Sequence, residues 1–355
     1  MAGMLEVKEW VLISYADEGL PTTDHLQLRE RKLVVDDGSI PEGHVVVRLL
    51  WLSIDPYLRS RMTGRSDGLY VSQFELNEVI ESFGIGRIIF SKADSYQIGD
   101  IVINPFSPVS DYCVIPVHGL RKIQADAEIS HLDYLNALGV PGFSAWVGMC
   151  IIGDPKPGDN VFITAAAGGV GVFAGQLAKI KGCRVVGSTG TDEKVQLLKV
   201  EFKYDDAFNY KKEPDLDAAL SKYFPNGIDV YFDNVGGKTL EVVLNHLNLH
   251  SRIVACGMIS QYNQMWTDRE GVRNLLNIVG KCVKMQGFMI GHHLQHFETF
   301  LKEMSSYIKQ GNIASKTKIY HGIEKFLESM VSVFSSTNNG KVILQVDKDA
   351  TLDGI

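Results

Sequence analysis

Asn160-Val-Phe-Ile-Thr-Ala-Ala-Ala-Gly-Gly-Val-Gly171 reads as an apolar strand that breaks into small residues and glycines, and an amphipathic stretch, residues 172–181, follows it. This is the form of a dinucleotide pyrophosphate site. Backbone N–H groups approach an anion closely only where side chains are absent, and the N-terminus of the following helix adds a favourable dipole and unsatisfied donors. The turn departs from a strict Gly-x-Gly-x-x-Gly, because Ala166 stands where the first glycine would fall before Gly168 and Gly171. By itself such a turn is equally a means of joining a strand to a helix.

Downstream, short β-branched runs alternate with helical stretches. Residues 184–188, 228–232, 251–256 and 284–288 read as buried strands separated by segments long enough for crossover helices. The pattern predicts an α/β fold with a Rossmann-type doubly wound parallel sheet. Repeated βαβ units put the loops at the strands' carboxyl ends on one edge, so Gly190, Asn234, Gly257 and Phe288 are expected to border one crevice.

Which nicotinamide coenzyme such a crevice takes depends on what meets the adenosine ribose after the second strand. An NAD site usually places Asp or Glu there, and that carboxylate repels a 2′-phosphate. Here the chain offers Ser188, Thr189 and Gly190, followed by Thr191 as a candidate N-cap and Lys194 one turn into a helix. The pattern favours NADPH. The competing reading makes Lys194 an ordinary solvated helix lysine, with Asp192 and Glu193 beside it.

The turn itself, Gly190-Thr-Asp-Glu-Lys194, Asp206-Ala-Phe-Asn-Tyr-Lys211, Ile228-Asp-Val-Tyr-Phe-Asp-Asn-Val-Gly-Gly237 and Cys256-Gly-Met-Ile-Ser-Gln-Tyr262 together resemble the zinc-independent medium-chain dehydrogenases/reductases. The likeness is greatest to the plant NADPH-dependent alkenal double-bond reductases, whose mammalian relatives are the prostaglandin reductases. It spans residues 7–346, dense in the cofactor half and looser in the first 130 residues.

The resemblance implies a set of roles. Ala165, Ala166, Ala167, Gly168, Gly169, Val170 and Gly171 hold the pyrophosphate, with Gly190, Lys194 and Tyr210 around the 2′-phosphate. Asn234 and Cys256 line the trough, Tyr262 lies near the nicotinamide ribose, and the backbone of Phe288, Met289 and Ile290 meets the carboxamide. Asn338, in Thr-Asn-Asn-Gly-Lys341, matches an asparagine that closes over the cofactor.

The first part of the chain carries short β-type runs at 45–50, 85–90, 101–104 and 111–116, with a turn at Gln97-Ile-Gly-Asp100. They suggest a GroES-like, partly open β-barrel. Leu52-Ser-Ile-Asp-Pro-Tyr-Leu-Arg-Ser-Arg-Met62 matches the family's mouth of the active site, with Tyr57 facing the cleft. The expected domains are a barrel over 1–130, a cofactor domain over 131–304 and a segment, 305–355, that rejoins the barrel through residues 317–320 and 341–346.

Zinc-dependent relatives need a Gly-His-Glu and closely spaced cysteines. Neither occurs, and the cysteines at 113, 150, 183, 256 and 282 are scattered, so no metal is expected. On one helix His292 and His296 would share a face; without an acidic third ligand, His292 reads better as a border of the substrate pocket or as a solvated side chain.

With neither metal nor flavin motif, the resemblance implies direct hydride transfer to the β-carbon of an alkene conjugated to an aldehyde or ketone. Charge then collects on the carbonyl oxygen, which preorganised donors must stabilise. A phenol donates a hydrogen bond and stays neutral near pH 7. Tyr262 is the first candidate and Tyr57 the second; each also has a plain reading, Tyr57 as barrel packing and Tyr262 as a cofactor contact.

Relatives carry Gly-Tyr-Gly where this chain has Ser82-Phe-Gly84, and Met-Pro-Gly-Leu-Thr where it has Val140-Pro-Gly-Phe-Ser144; a tryptophan-containing segment is replaced by Asn104-Pro-Phe-Ser-Pro-Val-Ser110. Loss of a hydroxyl at Phe83 suits a bulkier or more hydrophobic enone, of the kind met in plant specialised metabolism. A quinone reductase shares the fold and NADPH, and a nucleotide-binding protein without catalysis remains an alternative.

Length and composition set the outer bounds. The chain has 355 residues, 45% hydrophobic and 22% charged, which is ample for two globular domains. A net charge of −7 disfavours nucleic-acid or anionic-membrane partners. No apolar run is long enough to span a bilayer, the first residues lack a signal peptide's apolar centre, and unevenly spaced cysteines fit a reducing compartment. A cytoplasmic enzyme is expected, a homodimer like its relatives.

Overall fold

Residues Gly3–Leu12 and Leu26–Val35 pair along their whole lengths as the antiparallel strands β1 and β2, in the computed structural model, which describes residues 3–65, 72–124, 126–335, 337–347 and 350. The chain divides into two compact units, one of residues 1–135, 317–337 and 342–355, the other of residues 136–316 and 338–341.

The first unit is built on β3 (His44–Ile54), β4 (Glu81–Ser91), β5 (Ile101–Pro108), β6 (Tyr112–Pro116) and β7 (Arg121–Lys122). All the registered pairings among these strands are antiparallel, and β6 lies on β3 beside the main path β3-β4-β5-β7. Strand β3 is buried along nearly its whole length, because it has β4 and β6 as neighbours and contributes to three apolar clusters. One gathers Val45, Val47, Leu49 and Leu52 with Trp10 and Phe326; a second gathers Leu50 and Trp51 with Ile85 and Ile103; a third gathers Val46 with Val35 and Ile40. Register shifts between Val46 and Val47 and between Leu49 and Trp51 bend the strand, as a curling sheet requires.

The second unit holds β8 (Asn160–Ile163), β9 (Arg184–Thr189), β10 (Asp206–Asn209), β11 (Ile228–Asp233), β12 (Leu247–Ala255) and β13 (Lys284–Gly287). They form one parallel sheet in the order β10-β9-β8-β11-β12-β13. Helices Gly171–Ile180, Asp192–Val200, Leu216–Tyr223 and Gly237–His246 make crossovers between these strands. The chain leaves β8 in one direction toward β9 and β10 and resumes on its other side with β11, so the sheet switches direction between β8 and β11. Ligands of open α/β sheets bind outside the carboxyl ends of strands at such a point.

Aromatic rings fix the centre of this unit. Phe162 stacks on Phe208 (6.0 Å) and on Tyr231 (5.5 Å) and meets Phe224 edge-on at 5.4 Å. Each such fully buried ring stabilises the fold by about 1.5–3 kcal/mol. The sheet is therefore rigid directly beneath the turn that follows β8.

Late in the chain, β14 (Thr317–His321) and β15 (Lys341–Gln345) extend the first sheet, to the order β14-β15-β3-β4-β5-β7. Strand β15 runs antiparallel to β3, from Val342 opposite Ile54 to Gln345 opposite Trp51.

Candidate cofactor and active site

The turn after β8 has no room for larger residues. A Cβ on Gly171 would stand 2.6 Å from the Ala165 carbonyl oxygen and 2.7 Å from the backbone of Ala166. Ala165 itself lies at φ +47°. Two turns of chain are held against each other: the Ala166 amide donates to Ser188 on β9 (3.0 Å) and the Gly168 amide to Ala165 (2.9 Å). Among the described residues, the amides of Ala167, Val170 and Gly171 donate to no group, while that of Gly169 faces the Gly340 carbonyl across the bridge between Gly168 and Gly340. Three open donors at the start of a ten-residue helix suit a phosphate-bearing ligand.

Tyr204 sets the position of that helix, and the sequence reading missed it. Its hydroxyl donates to the Gly171 carbonyl (2.7 Å). A Cβ on Gly175 would lie 2.1 Å from its ring, and one on Gly187 would lie 2.9 Å away. The small residues at 175 and 187 were the available signal; the partner lies too far along the chain for periodicity to find.

At the carboxyl end of β9 stand Ser188, Thr189 and Gly190, none of them acidic. Thr191 caps the next helix, accepting from the Lys194 amide (3.3 Å), and Lys194 is only 6% exposed on its first turn. Tyr210 is exposed and is brought alongside by its amide, which donates to Thr189 (3.0 Å). The Asp192 carboxylate pairs with Lys212 and accepts from Asn209 Nδ2, and these two contacts hold its pKa below the usual value. Hydrogen bonds from its own amide and from Thr191 lower that of Glu193 as well. The solvated-lysine reading of Lys194 does not match its burial.

At the switch point, Asn234 joins the ends of two strands. Its amide donates to Thr164 Oγ1 (3.0 Å) and its Nδ2 to the Thr164 carbonyl (2.8 Å). Asp233, fully buried, folds this corner: its Oδ1 accepts from the Tyr231 hydroxyl (2.7 Å) and from the amides of Val235 (2.9 Å) and Gly236 (2.8 Å). Its Oδ2 has no hydrogen-bond partner among the described residues. Burial raises the carboxyl's pKa despite those donors. Burial, with Asp233 adding to it, pushes the Cys256 thiol up to about 12.

Tyr262 ends a short 3₁₀ turn, Ile259–Gln261, and its hydroxyl accepts from the Met258 amide (3.2 Å). A Cβ on Gly257 would be 3.0 Å from that hydroxyl, so the glycine after Cys256 lets the phenol close over the end of β12. Phe288, Met289 and Ile290 follow β13 and are half-buried. Asn338 is buried, with Nδ2 3.3 Å from the Gly340 carbonyl, and Gly340 bridges to Gly168 of the turn.

The histidines are arranged differently from the helical expectation. Residues Ile290–His296 form a 3₁₀ helix, in which i and i+3 eclipse, so His293 stacks on His296 at 6.3 Å while His292 is exposed apart from them. Among the described residues no three His, Cys, Asp or Glu side chains gather where a metal could sit.

In the barrel unit, Tyr57 opens the short helix Tyr57–Ser60. Burial, reinforced by Asp55, pushes its phenol well above the ordinary value, against the pull of Arg61 and of a hydrogen bond with Ser82. Ser53 Oγ donates to Asp55, and Ser82 Oγ donates to the Ser53 carbonyl. Phe83, on β4, is half-buried and packs on the cluster of Leu50, Trp51, Ile85 and Ile103.

The chain is similar to known proteins along nearly its whole length. Residues 8–123 match the family model of the N-terminal domain of oxidoreductases and residues 169–306 that of the zinc-binding dehydrogenases. The chain is 40% identical to the NADP⁺-dependent 2-alkenal reductase of Nicotiana tabacum over 352 residues, covering 98% of this chain and 100% of the relative. It is 39% identical to the (+)-pulegone reductase of Mentha piperita, with 98% and 100% covered. The crystal structure of CurA from Vibrio vulnificus in complex with NADPH superimposes with a TM-score of 0.86 at 31% identity, covering 96% of this chain and 99% of that one. The chain belongs to the medium-chain dehydrogenase/reductase family, in its branch of NADP-dependent alkenal reductases.

Proposed function

We propose that this protein reduces the carbon–carbon double bond of an α,β-unsaturated aldehyde or ketone with NADPH. The observation that carries the reading is the pairing of open amides at the turn with a strand end, Ser188 to Gly190, that carries no acidic residue and is followed by the buried Lys194. The first suits a pyrophosphate and the second a 2′-phosphate.

When bound, the coenzyme supplies a hydride to the β-carbon of the alkene. What this chain adds is charge stabilisation at the carbonyl oxygen and control of water. Tyr262 is the first donor in this reading and Tyr57 the second. Burial and Asp55 keep the Tyr57 phenol protonated far above pH 7, as a neutral donor must be. Solvent then returns a proton to the α-carbon. Cys256, held as a thiol by burial, lines the trough without acting as a nucleophile. The reaction is zinc-independent, since the chain has neither a Gly-His-Glu nor closely spaced cysteines. The loss of a hydroxyl at Phe83 favours a bulky, hydrophobic enone.

The working form is a homodimer. Strand β13 is the outer strand of the parallel sheet, and beside it Leu276 (79% exposed) and Val279 (73% exposed) leave apolar surface open, with Leu275 and Met285 adding to it. A second copy pairing along β13 covers both the strand edge and this patch. The compartment is the cytoplasm, where all five cysteines remain thiols; among the described residues no helix is long and apolar enough to cross a membrane.

Initial rates with 4-deuterated NADPH against linear enals, cyclic and aryl enones and quinones test the reading. Deuterium at the β-carbon of a saturated ketone or aldehyde is the expected product. Faster turnover of quinones than of every enone makes it a quinone reductase, and tight binding without turnover of any acceptor makes it a coenzyme-binding protein. Sedimentation at micromolar concentration reads the dimer directly; a monomer there contradicts the β13 interface.

A further inference from the structure

We propose that Glu270 and Gln261 form a clamp that holds the Tyr262 phenol in place, as positioning residues for the reaction; this rests on the reading of Tyr262 given above. Tyr262 follows the short turn Ile259–Gln261. The first two residues of that turn hang from the carboxyl end of β11. The Ile259 amide donates to the Asn234 carbonyl (3.0 Å), and the Ser260 amide (3.3 Å) and hydroxyl (2.6 Å) both donate to that of Val235. The last residue is fastened from further away.

Gln261 is buried and uses both ends of its side-chain amide. Oε1 accepts from the Glu270 backbone amide (2.9 Å), while Nε2 donates to Ser260 Oγ (2.8 Å) and to Glu270 Oε2 (3.4 Å). The same Glu270 oxygen accepts from the amide of Lys238 (2.9 Å), in the first turn of the helix Gly237–His246. That amide is one of the four that a helix leaves without an internal acceptor, so Glu270 caps the helix and ties the turn to it through one oxygen. The bond from the Lys238 amide also holds the Glu270 carboxyl below its usual pKa, which keeps it ionised near pH 7. The Lys238 ammonium, 3.3 Å from Oε1, is largely exposed and adds little.

Gly237 makes this approach possible. It sits at φ +56°, and a Cβ there would overlap the Glu270 carboxylate and stand 2.6 Å from Gln261 Nε2. A hydroxyl stabilises a developing charge at little cost only if it is already aimed, and a misplacement of about 1 Å can cost about 100-fold in rate. The clamp acts at the residue immediately before the phenol, where a small rotation of the backbone would swing the ring most.

Two measurements on the full chain test the clamp. In the coenzyme-free protein, Glu270→Ala is expected to speed hydrogen exchange at the amides of Ile259 and Ser260 by about tenfold or more, with β11 unaffected. Initial rates at saturating NADPH and enone then close a double-mutant cycle: Glu270→Ala lowers kcat by about tenfold alone, and by less than about twofold in the Tyr262→Phe background. Glu270→Gln, which keeps the acceptor oxygen, restores most of the lost rate. Unchanged exchange overturns the proposal. So do losses that multiply in the double variant, which is what a merely structural role gives. If Glu270→Ala does not fold, Glu270→Asp, shorter by a methylene, carries the same comparison. A Tyr262→Phe enzyme with full turnover sinks the reading of Tyr262 and the clamp's purpose with it, whereas an impaired Tyr262→Phe beside an indifferent Glu270→Ala sinks only this inference.

Discussion

The turn after β8 and the stretch around Tyr57, one in each compact unit, are built on opposite principles. The turn works through backbone amides, and its neighbours in sequence create it: Ala165 O and the Ala166 backbone stand within 2.7 Å of any Cβ that Gly171 could carry. Tyr57, the second donor proposed, offers a side chain whose surroundings come from three places, Asp55 two residues before it, Arg61 after it and Ser82 on β4. A backbone site is therefore tolerant of everything except bulk. A side-chain site is sensitive to each partner's chemistry.

Substitution can break that contrast. Gly171→Val is expected to have the largest effect, weakening NADPH binding by more than about 100-fold and lowering the melting temperature, since the valine overlaps fixed backbone. A variant that binds NADPH normally removes the steric basis of the turn. Tyr262→Phe is expected to lower kcat by about 100-fold at saturating substrate and coenzyme, the usual loss for one oxyanion donor. Unchanged turnover removes this hydroxyl from the reaction.

Smaller effects sharpen the contrast. Lys194→Met is expected to weaken NADPH about tenfold while NADH is unaffected, read from the ratio of kcat/KM for the two coenzymes. Tyr57→Phe is expected to lower kcat by about tenfold, with its fold and coenzyme affinity intact. Asp233→Asn tests the corner between the strands by pH. The raised folded pKa of Asp233 gives stability that is full below the unfolded carboxylate's range and lost as pH rises through the folded value. Asparagine keeps the acceptor oxygen and cannot ionise. The variant should gain stability relative to the wild type as pH rises from the unfolded carboxylate's range to the raised folded value, measured by denaturant midpoints. A constant difference across that rise shows that Asp233 has the same protonation state in the folded and the unfolded chain, so that its pKa is not raised.

How much of this was legible in the sequence follows the same division. Strands β8, β9 and β11 lie close to where their apolar runs place them, and the turn's chemistry follows from its small residues; β13 also lies where expected, but as the outer strand it is largely exposed and not buried. Strand β12 begins at Leu247, well before the apolar run at 251, because its pairing with β11 shifts register between Ile228 and Val230 and absorbs the polar residues Asn248 and His250. Strand β10 is four residues long with polar ends, too short for periodicity to distinguish from a loop. The segment Ile290–His296 was expected to follow α-helical spacing, but its tighter 3₁₀ winding pairs His293 with His296 and leaves His292 aside. Tyr204 and Asp233 were missed for one reason: each acts through a close approach that only the folded chain creates.

Titration of the purified full chain with NADPH and with NADH, followed calorimetrically, bears most directly on the coenzyme site from which the rest descends. NADPH should bind at one site per chain, at least about tenfold more tightly than NADH. A chain with no affinity for NADPH, or one that prefers NADH, contradicts the assignment of the turn and of Lys194 together.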